Sequence, residues 1–163
     1  MAAAVEKRDI PEGFKLCRGD GTFNDVLAPI YMKLVDGRPV LGMFIEKHHC
    51  NFIGIAHGGC LMTLMDMALS GVVCAAIGTY TITPTVSSSF DFMAAAKPGD
   101  WIHTEIVSVN LTRTMGFINA MICGPNGHIA RASGCFKLPS DTSRHPGMPA
   151  DEYHAWRMSV DQE

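Results

Sequence analysis

The spacing of hydrophobic residues divides this chain into three parts. Two short apolar runs, Ala28–Leu34 and Val40–Lys47, flank Asp36-Gly37, a dipeptide that favours tight hairpin turns, and they predict a pair of strands. A long apolar segment then begins at a pair of glycines and ends at Gly78, and it predicts a helix that is buried on most sides. Beyond Gly78 the spacing changes to period two, which is typical of strands.

The third part contains four predicted strands separated by turn sequences. The strands lie at Thr81–Met93, Trp101–Asn110, Thr114–Cys123 and His128–Leu138. The turns are Lys97-Pro98-Gly99-Asp100 and Pro125-Asn126-Gly127. Two strands, one long buried helix and four more strands predict an α+β fold, with one antiparallel sheet wrapped around a central helix. The exposed edges of such a sheet favour oligomerisation through an edge strand.

The chain length of 163 residues predicts one domain with flanking segments. We expect a polar, irregular or short helical lead-in over residues 1–27 and the folded domain over residues 28–138. A tail over residues 139–163 follows, rich in Pro, Ser and charge, which either adds a short helix around Asp151–Met158 or is loosely ordered.

Composition narrows the classes of function. A net charge of -3 offers no basic surface for nucleic acid, although Lys97, Arg113 and Arg131 supply local positive charge for an acidic ligand. Most of the six cysteines lie in apolar segments and no C-x-x-C motif occurs, so we expect free thiols in a reducing cytoplasm rather than disulfides or zinc. The first residues lack the apolar core of a signal peptide.

The apolar segment Cys60–Ile77 approaches the minimum length of a membrane span. It carries Asp66 near its centre, where a carboxylate is costly in lipid, and no positive flank or aromatic belt accompanies it. We therefore favour a buried core helix.

Polar residues on this helix form one narrow stripe. Gly59, Thr63, Asp66 and Ser70 are spaced by four, three and four residues, which places them on one helical face. A carboxylate in such an apolar helix loses much of its hydration. Either a structural partner compensates for that loss, or the site uses Asp66 chemically.

The start of the helix offers a second chemical group. A helix N-terminus presents free N–H groups, and glycines let a ligand approach the backbone, so Gly58 and Gly59 are candidate oxyanion donors beside His57. Gly58 and Asp66 are separated by eight residues, or about 12 Å along a helix. Both groups must lie close to one carbonyl carbon to act on it. We therefore predict a site shared by two chains across a two-fold axis.

The chain resembles the hotdog-fold acyl-CoA thioesterases of the phenylacetate-degradation type, a group that includes thioesterase superfamily member 2. The matching pattern is N-x-x-G-x-x-H-G-G-x-x-x-x-L-x-D, which runs from Asn51 to Asp66. The A-K-P-G-D turn, the T-R-T-M-G-F strand and the P-N-G-H-I-A-R-A-S-G hairpin extend the likeness from about Ala28 to Leu138.

This resemblance implies a hotdog fold that hydrolyses acyl-CoA thioesters at the interfaces of dimers or of dimers of dimers. It implies no metal and no separate cofactor, since coenzyme A enters with the substrate. Asp66 matches the catalytic carboxylate, as nucleophile or general base, and Gly58 matches the backbone donor to the thioester oxygen. Asn51 and His57 match positioning residues, Ser70 matches an assisting hydroxyl, and Gly59 belongs to the binding turn. The family's assisting Ser on the next strand falls at Thr85, a departure that keeps the hydroxyl and adds a methyl (Thr83 or Ser87 in another register). Lys97 and Arg113 are candidates for CoA phosphates by their charge and position.

Simpler interpretations exist for the same residues. Asp66 would then be a buried acid with a structural partner. His57 would be a loop histidine whose ring is hydrogen-bonded within the protein, and Asn51 would be a turn residue or cap. We interpret His48-His49 as an exposed strand end rather than a metal site, because no third ligand follows at a suitable spacing. The alternative functions are a non-catalytic acyl-CoA-binding module and an acyl-CoA hydratase or dehydratase.

Overall fold

A computed structural model describes residues 8–140 and 147–160 of the chain. In these ranges it contains two α-helices, α1 (Gly58–Ile77) and α2 (Ala150–Arg157), and two short 3-10 turns at Phe23–Leu27 and Lys47–His49. The strands of the described residues are β1 (Lys15–Leu16), β2 (Tyr31–Val35), β3 (Arg38–Phe44), β4 (Thr79–Tyr80), β5 (Thr85–Phe92), β6 (Trp101–Leu111), β7 (Met115–Gly124), β8 (Gly127–Lys137) and β9 (Met148–Pro149).

Seven of the described strands form one antiparallel sheet in the order β1-β2-β3-β6-β7-β8-β5. The helix α1 lies between β3 and β5 in the chain, and its apolar residues pack on one face of the sheet, so the predicted α+β architecture is confirmed. Strand β5 occupies one edge, because it pairs with β8 alone within the described sheet.

Helix α1 begins and ends at the predicted residues. His57 caps its first turn by accepting a hydrogen bond from the Gly59 amide, and Gly78 ends it in the left-handed conformation with a φ of 74°. Glycine adopts that φ without the steric cost of a Cβ, which explains the stop. The helix is long and apolar enough, by length and composition, to cross a membrane. Its buried residues nevertheless pack into the core of the sheet, as the sequence predicted for a core helix.

The predicted turns are present, and two of them join the strands of hairpins. Asp36 and Gly37 both have positive φ values and join β2 to β3, as in a type I′ turn. Pro125 and Asn126 connect β7 to β8, and Lys97–Asp100 form the turn before β6.

The single strand predicted over Thr81–Met93 is wrong at its start. Residues 79–80 form β4, which pairs with β9 instead of the main sheet, and β5 begins only at Thr85. Pro84 lacks an amide proton for a sheet ladder, and the Thr83 side chain is buried toward α1. The missing amide proton of Pro84 and the inward-facing side chain of Thr83 therefore separate β4 from β5.

Both flanking segments contact the rest of the fold. Strand β1 lies in the predicted lead-in and pairs with β2. The helix predicted around Asp151–Met158 is present as α2, and it packs against α1 and β4. The other parts of these predictions, at residues 1–7, 141–146 and 161–163, lie outside the described residues.

Candidate functional site

Asp66 has a partner on the neighbouring strand. Its side chain is half-buried on α1, and its Oδ1 accepts a 2.9 Å hydrogen bond from the Thr85 hydroxyl at the start of β5. Oδ2 of Asp66 has no hydrogen-bond donor within the described residues. One carboxylate oxygen is thus held in place while the other remains available.

The sequence left three hydroxyls, those of Thr83, Thr85 and Ser87, as candidates to assist Asp66, and the structure distinguishes them. Thr85 contacts Asp66, whereas the Thr83 hydroxyl lies 3.1 Å from the Ser70 hydroxyl, one turn further along α1. Ser87 lies on β5 opposite Cys135 and belongs to a separate depression on the sheet. Of the three, Thr85 is the hydroxyl that contacts Asp66, and Ser70 and Thr83 form a second hydroxyl pair.

The first two amides of α1, those of Gly58 and Gly59, differ in their hydrogen bonding. The Gly59 amide donates a 2.9 Å hydrogen bond to Nδ1 of His57. The Gly58 amide meets no acceptor in the part of the chain that the structure describes. Because His57 accepts at Nδ1, the proton of its neutral ring lies on Nε2. Gly58 is thus the amide that is free to bind a ligand oxygen.

Asn51 shapes the loop that leads into α1. Its Oδ1 accepts hydrogen bonds from the amides of Ile53 at 3.1 Å and Ile55 at 3.3 Å. This is the turn role that the simpler interpretation of Asn51 predicted. The bonds place Phe52 at the tip of the loop, where its side chain is fully exposed.

The two cations predicted to bind CoA phosphates lie at opposite ends of α1. Lys97 follows Ala96, whose carbonyl accepts a hydrogen bond from Ala56 in the loop before the helix. Arg113 lies in the turn between β6 and β7, close to Gly116, which lies against Val73 in the second half of α1. A single chain therefore does not bring Lys97 and Arg113 together.

A cavity of about 170 Å³ opens beside Asp66. Asp66 and Ser70 of α1 line one wall, and Met32 and Leu41 of the sheet line another. Both flanking segments complete it with Cys17, Asp20, Asn24, Tyr153, His154 and Arg157. These six residues were not predicted from the sequence to belong to the site. The signal available was the spacing of Tyr153, His154 and Arg157, which share one side of the predicted tail helix.

The cavity-lining face of α2 is unusually polar for a buried surface. His154 is 3% exposed, and burial lowers the pKa of its imidazole, so that the ring is neutral at neutral pH. The Tyr153 ring stacks on Tyr80, and burial is the main cause that raises the pKa of the Tyr153 hydroxyl. Arg157 is also buried, and its guanidinium donates to the Arg18 carbonyl and lies 3.9 Å from Asp20.

One group of side chains has the composition of a metal site. The ligand atoms of Glu105, Cys123 and His128 lie within 4.8 Å of one another, but none of the three lines the cavity beside Asp66. Burial, followed by the Glu105 carboxylate, raises the pKa of the Cys123 thiol to about 11, so the thiol is protonated at neutral pH. All six cysteines lie in the described residues as free thiols.

The expectation of an exposed strand end at His48-His49 is wrong for His49. His49 lies in the 3-10 turn Lys47–His49 with its side chain buried. Its Nδ1 accepts a hydrogen bond from the Glu46 amide and caps that turn. A local hydrogen bond, which the spacing of apolar residues does not reveal, turns the ring inward.

Comparison with known proteins identifies the family. Residues 53–130 match the family model described as "Thioesterase superfamily". The Pseudomonas aeruginosa protein named "Putative esterase PA0474" is 32% identical over 132 residues, which cover 80% of this chain and 98% of that protein. The chain belongs to the thioesterase superfamily. The predicted family resemblance is thereby confirmed, and membership supports a hydrolase that acts on thioesters.

Solved structures confirm the hotdog fold. A hypothetical thioesterase from Streptococcus pneumoniae, crystallised with coenzyme A, is 26% identical with a TM-score of 0.63, over 71% of this chain and 89% of that chain. Zebrafish thioesterase superfamily member 2 has the same identity and TM-score over 74% and 88% of the two chains. The protein PaaI from Thermus thermophilus is 21% identical with a TM-score of 0.64, over 72% and 98%, and supports the fold alone.

Proposed function

We propose that this protein hydrolyses acyl-CoA thioesters to a free acid and coenzyme A. The observation that carries the proposal is the half-buried carboxylate of Asp66, held by Thr85 at the wall of a cavity in a thioesterase-superfamily fold. The coenzyme A in the S. pneumoniae structure supports the choice of a CoA ester over other esters.

Asp66 supplies the reactive carboxylate in this proposal. As a general base it takes a proton from water while the water oxygen attacks the thioester carbon, and as a nucleophile it attacks that carbon itself and forms an anhydride that water then cleaves. In both routes the C–S bond breaks and the sulfur leaves as the CoA thiolate, which takes up a proton. The hydrogen bond from Thr85 orients one oxygen and leaves Oδ2 for this step.

The Gly58 amide is the proposed oxyanion donor, supplied by a second copy of the chain. The amide has no partner in the described residues, and it lies about 12 Å along the same helix from Asp66, too far for both to act on one carbonyl. Edge strand β5 supports pairing of two copies, since Val86 and Phe92 there expose 59% and 51% of their surface. The assembly proposed is a dimer or a dimer of dimers.

The remaining predicted residues have positioning and binding roles in this proposal. His57 caps the first turn of α1 beside Gly58, Asn51 holds the loop that leads into that turn, and Ser70 lines the cavity next to Asp66. Lys97 and Arg113 bind CoA phosphates; because they lie at opposite ends of α1, a pair of them at one site comes from two chains. The reaction needs no metal and no redox cofactor.

A panel of acyl-CoAs with short, medium, long and aryl acyl groups tests the proposal. Thiol release is measured for wild type, for Asp66→Asn, which keeps the hydrogen-bond acceptor for Thr85, and for Asp9→Asn, which changes an exposed carboxylate. We expect turnover by wild type and Asp9→Asn and a loss of about a hundredfold or more in Asp66→Asn.

Other outcomes would identify the alternatives. Acyl-CoA binding without thiol release, unaffected by Asp66→Asn, would indicate a binding module. Addition of water to an enoyl-CoA without thiol release would indicate a hydratase. Equal thiol release by wild type and Asp66→Asn would contradict the role of Asp66.

A further inference from the structure

The β7–β8 hairpin carries two metal-binding side chains next to its turn. Cys123 and His128 lie directly opposite each other on either side of the Pro125-Asn126 turn. Ile122, the neighbour of Cys123 in β7, and its partner Ala130 belong to the core that packs with α1. Because side chains alternate along a strand, Cys123 and its partner His128 face the outer side of the sheet, away from α1.

A third side chain of this kind comes from the neighbouring strand β6. Glu105 pairs with Met121, two residues before Cys123, so Glu105 and Cys123 are diagonal neighbours on the same face. The Cys123 thiol donates a 3.2 Å hydrogen bond to Oε2 of Glu105. The ligand atoms of Glu105, Cys123 and His128 all lie within 4.8 Å of one another. Side chains from three adjacent strands therefore converge on one point.

The separations between these atoms are close to those around a bound zinc ion. Zinc binds thiolate sulfur at about 2.3 Å and imidazole nitrogen or carboxylate oxygen at about 2.0–2.2 Å, in a tetrahedral arrangement. Those bond lengths and the tetrahedral angle place neighbouring ligand atoms roughly 3.3–3.7 Å apart. The 3.2 Å between sulfur and oxygen and the 4.8 Å within which all three atoms lie bracket this range. Small side-chain rotations therefore suffice to bring the three atoms onto one ion.

The three side chains have few competing partners. The His128 ring makes no hydrogen bond within the part of the chain that the structure describes, and there the Glu105 carboxylate bonds only the Cys123 thiol. Arg131 of β8, the next cation along that strand, is engaged with Asp91 at 2.6 Å. Glu105 and His128 are exposed above the buried Cys123, so an ion from solvent reaches the group without a change in the fold.

The kinds of ligand atom select the class of ion. Magnesium and calcium bind oxygen ligands, whereas a site with one sulfur, one imidazole nitrogen and one carboxylate oxygen suits zinc. A metal ion binds cysteine as the thiolate, so binding releases the thiol proton to solvent. The thiolate and the carboxylate then bring two negative charges, which balance the charge of Zn²⁺. Three protein ligands leave the fourth tetrahedral position for water.

We propose that Glu105, Cys123 and His128 bind a zinc ion on the outer face of the sheet, with water as the fourth ligand. The ion ties the β7–β8 hairpin to β6 and stabilises the fold. This site is separate from the proposed thioesterase site, because Asp66 belongs to α1 on the opposite face of the sheet. The sequence expectation of no zinc depended on motifs of closely spaced cysteines and histidines, whereas these three residues meet only through strand pairing.

Titration with Co²⁺ tests the site directly. Co²⁺ replaces Zn²⁺ in sites with sulfur and nitrogen ligands, and a cobalt–thiolate bond gives an absorption band in the near ultraviolet. The full-length protein is freed of metal with a chelator, titrated with Co²⁺ and then with Zn²⁺. We expect the thiolate band to saturate at one ion per chain, to disappear as Zn²⁺ displaces Co²⁺, and to be unaffected by Mg²⁺.

Variants of each ligand locate the ion. Cys123→Ser should lose the thiolate band, and Glu105→Gln and His128→Gln should each weaken Co²⁺ binding at least tenfold, since even the loss of a residue that only orients a ligand costs about 10–100-fold. Cys135→Ser removes a half-buried thiol of β8, and Asp66→Asn removes the carboxylate of the proposed thioesterase site. Both of these controls should keep the band and the wild-type affinity. If Cys123→Ser fails to fold, the variants of the two exposed ligands still decide the matter.

Thermal unfolding adds a second measurement. Zinc that binds the folded chain should raise the Tm of wild type and of Cys135→Ser, but not that of Cys123→Ser. The absence of a thiolate band in wild type, or a band that survives in Cys123→Ser, would overturn the inference. Wild-type affinity in both Glu105→Gln and His128→Gln, or loss of the band in either control variant, would place the ion elsewhere and overturn it as well. Thiol release from acyl-CoA is measured separately, so the thioesterase proposal stands or fails independently.

Discussion

The hydroxyl of Thr85 lies 2.9 Å from Oδ1 of Asp66, although the two residues are separated by 19 positions and belong to a strand and a helix. The bond connects the first residue of β5 to the middle of α1. It fixes one oxygen of the Asp66 carboxylate. The polar stripe of α1 to which Asp66 belongs is otherwise surrounded by apolar residues.

Replacing Thr85 with Val removes this hydrogen bond and nearly preserves the shape of the side chain. We expect kcat for the best acyl-CoA substrate to fall by about tenfold, since one hydrogen bond to a charged group contributes about 1.5–3 kcal/mol and only part of it is specific to the transition state. Steady-state kinetics of Thr85→Val beside Thr85→Ser measure the effect. Thr85→Ser keeps the hydroxyl and should stay within about threefold of wild type; equal kinetics in both variants would contradict the role of the hydroxyl.

Replacing Gly58 with Pro removes the amide proton of the proposed oxyanion donor and keeps the helix intact. Proline is tolerated at the first position of a helix, where its missing amide proton has no partner, and His57 before it is already extended with a ψ of 134°. We expect Gly58→Pro to lower kcat by about a hundredfold or more, as the loss of one oxyanion donor does elsewhere.

The matched control is Gly58→Ala, which keeps the amide proton. Both variants add a Cβ that meets the Phe92 ring at 3.2 Å, so any cost of displacing that ring is common to them. The difference in kcat between the two variants isolates the amide. Similar kcat values for Gly58→Pro and Gly58→Ala, with circular dichroism showing both folded, would argue against an oxyanion role.

Mixing two inactive variants tests whether the site is shared between chains. A dimer of one Asp66→Asn chain and one Gly58→Pro chain contains one site with both native groups and one site with neither. After the two proteins are unfolded together and refolded, random pairing should recover about a quarter of wild-type activity.

If each chain instead supplied both groups to its own site, the mixture would be as inactive as its components. Mixing Asp66→Asn with a second preparation of Asp66→Asn is the control, and it should recover no activity.

Acid should destabilise the fold through His49. Burial, with the neighbouring His48 as the second cause, lowers the pKa of His49 to about 4, below the value of about 6.5 in an unfolded chain. Between these values the unfolded chain binds more protons than the folded one, so the free energy of unfolding decreases as the pH falls from 6.5 toward 4. The contribution of His49 is up to about 3 kcal/mol.

Urea unfolding at fixed protein concentration, from pH 7.5 down to pH 4.5, measures this dependence. His49→Gln should flatten the profile in part, because burial also lowers the pKa values of His103 and His154 and their contribution remains. His128→Gln changes an exposed histidine and should keep the wild-type profile. An unchanged slope in His49→Gln would show that His49 does not carry the acid sensitivity.

Local sequence signals predicted most of the architecture. A short stretch of sequence carries the signals for backbone geometry and for the periodicity of burial. The first kind predicted the turn at Asp36-Gly37 and the ends of α1 at Gly58 and Gly78, and the second predicted strands β6 to β8. The break between β4 and β5 was missed although Pro84 is a local signal for it. The turn of Thr83 toward Ser70 on α1 is, by contrast, a contact between separate elements.

The amino-acid sequence by itself determined the antiparallel sheet with its core helix, the carboxylate stripe on that helix and the resemblance to the hotdog thioesterases, because these depend on residue spacing. Only the tertiary structure decided that Thr85 rather than Thr83 or Ser87 reaches Asp66 and that His154 of α2 lines the cavity. It also decided that the Gly59 amide has an acceptor whereas the Gly58 amide has none within the described residues. Each of these results joins segments that are distant in the chain or selects between neighbouring groups by a hydrogen bond. The packing of the folded chain sets such contacts, and the periodicity of the sequence carries no record of them.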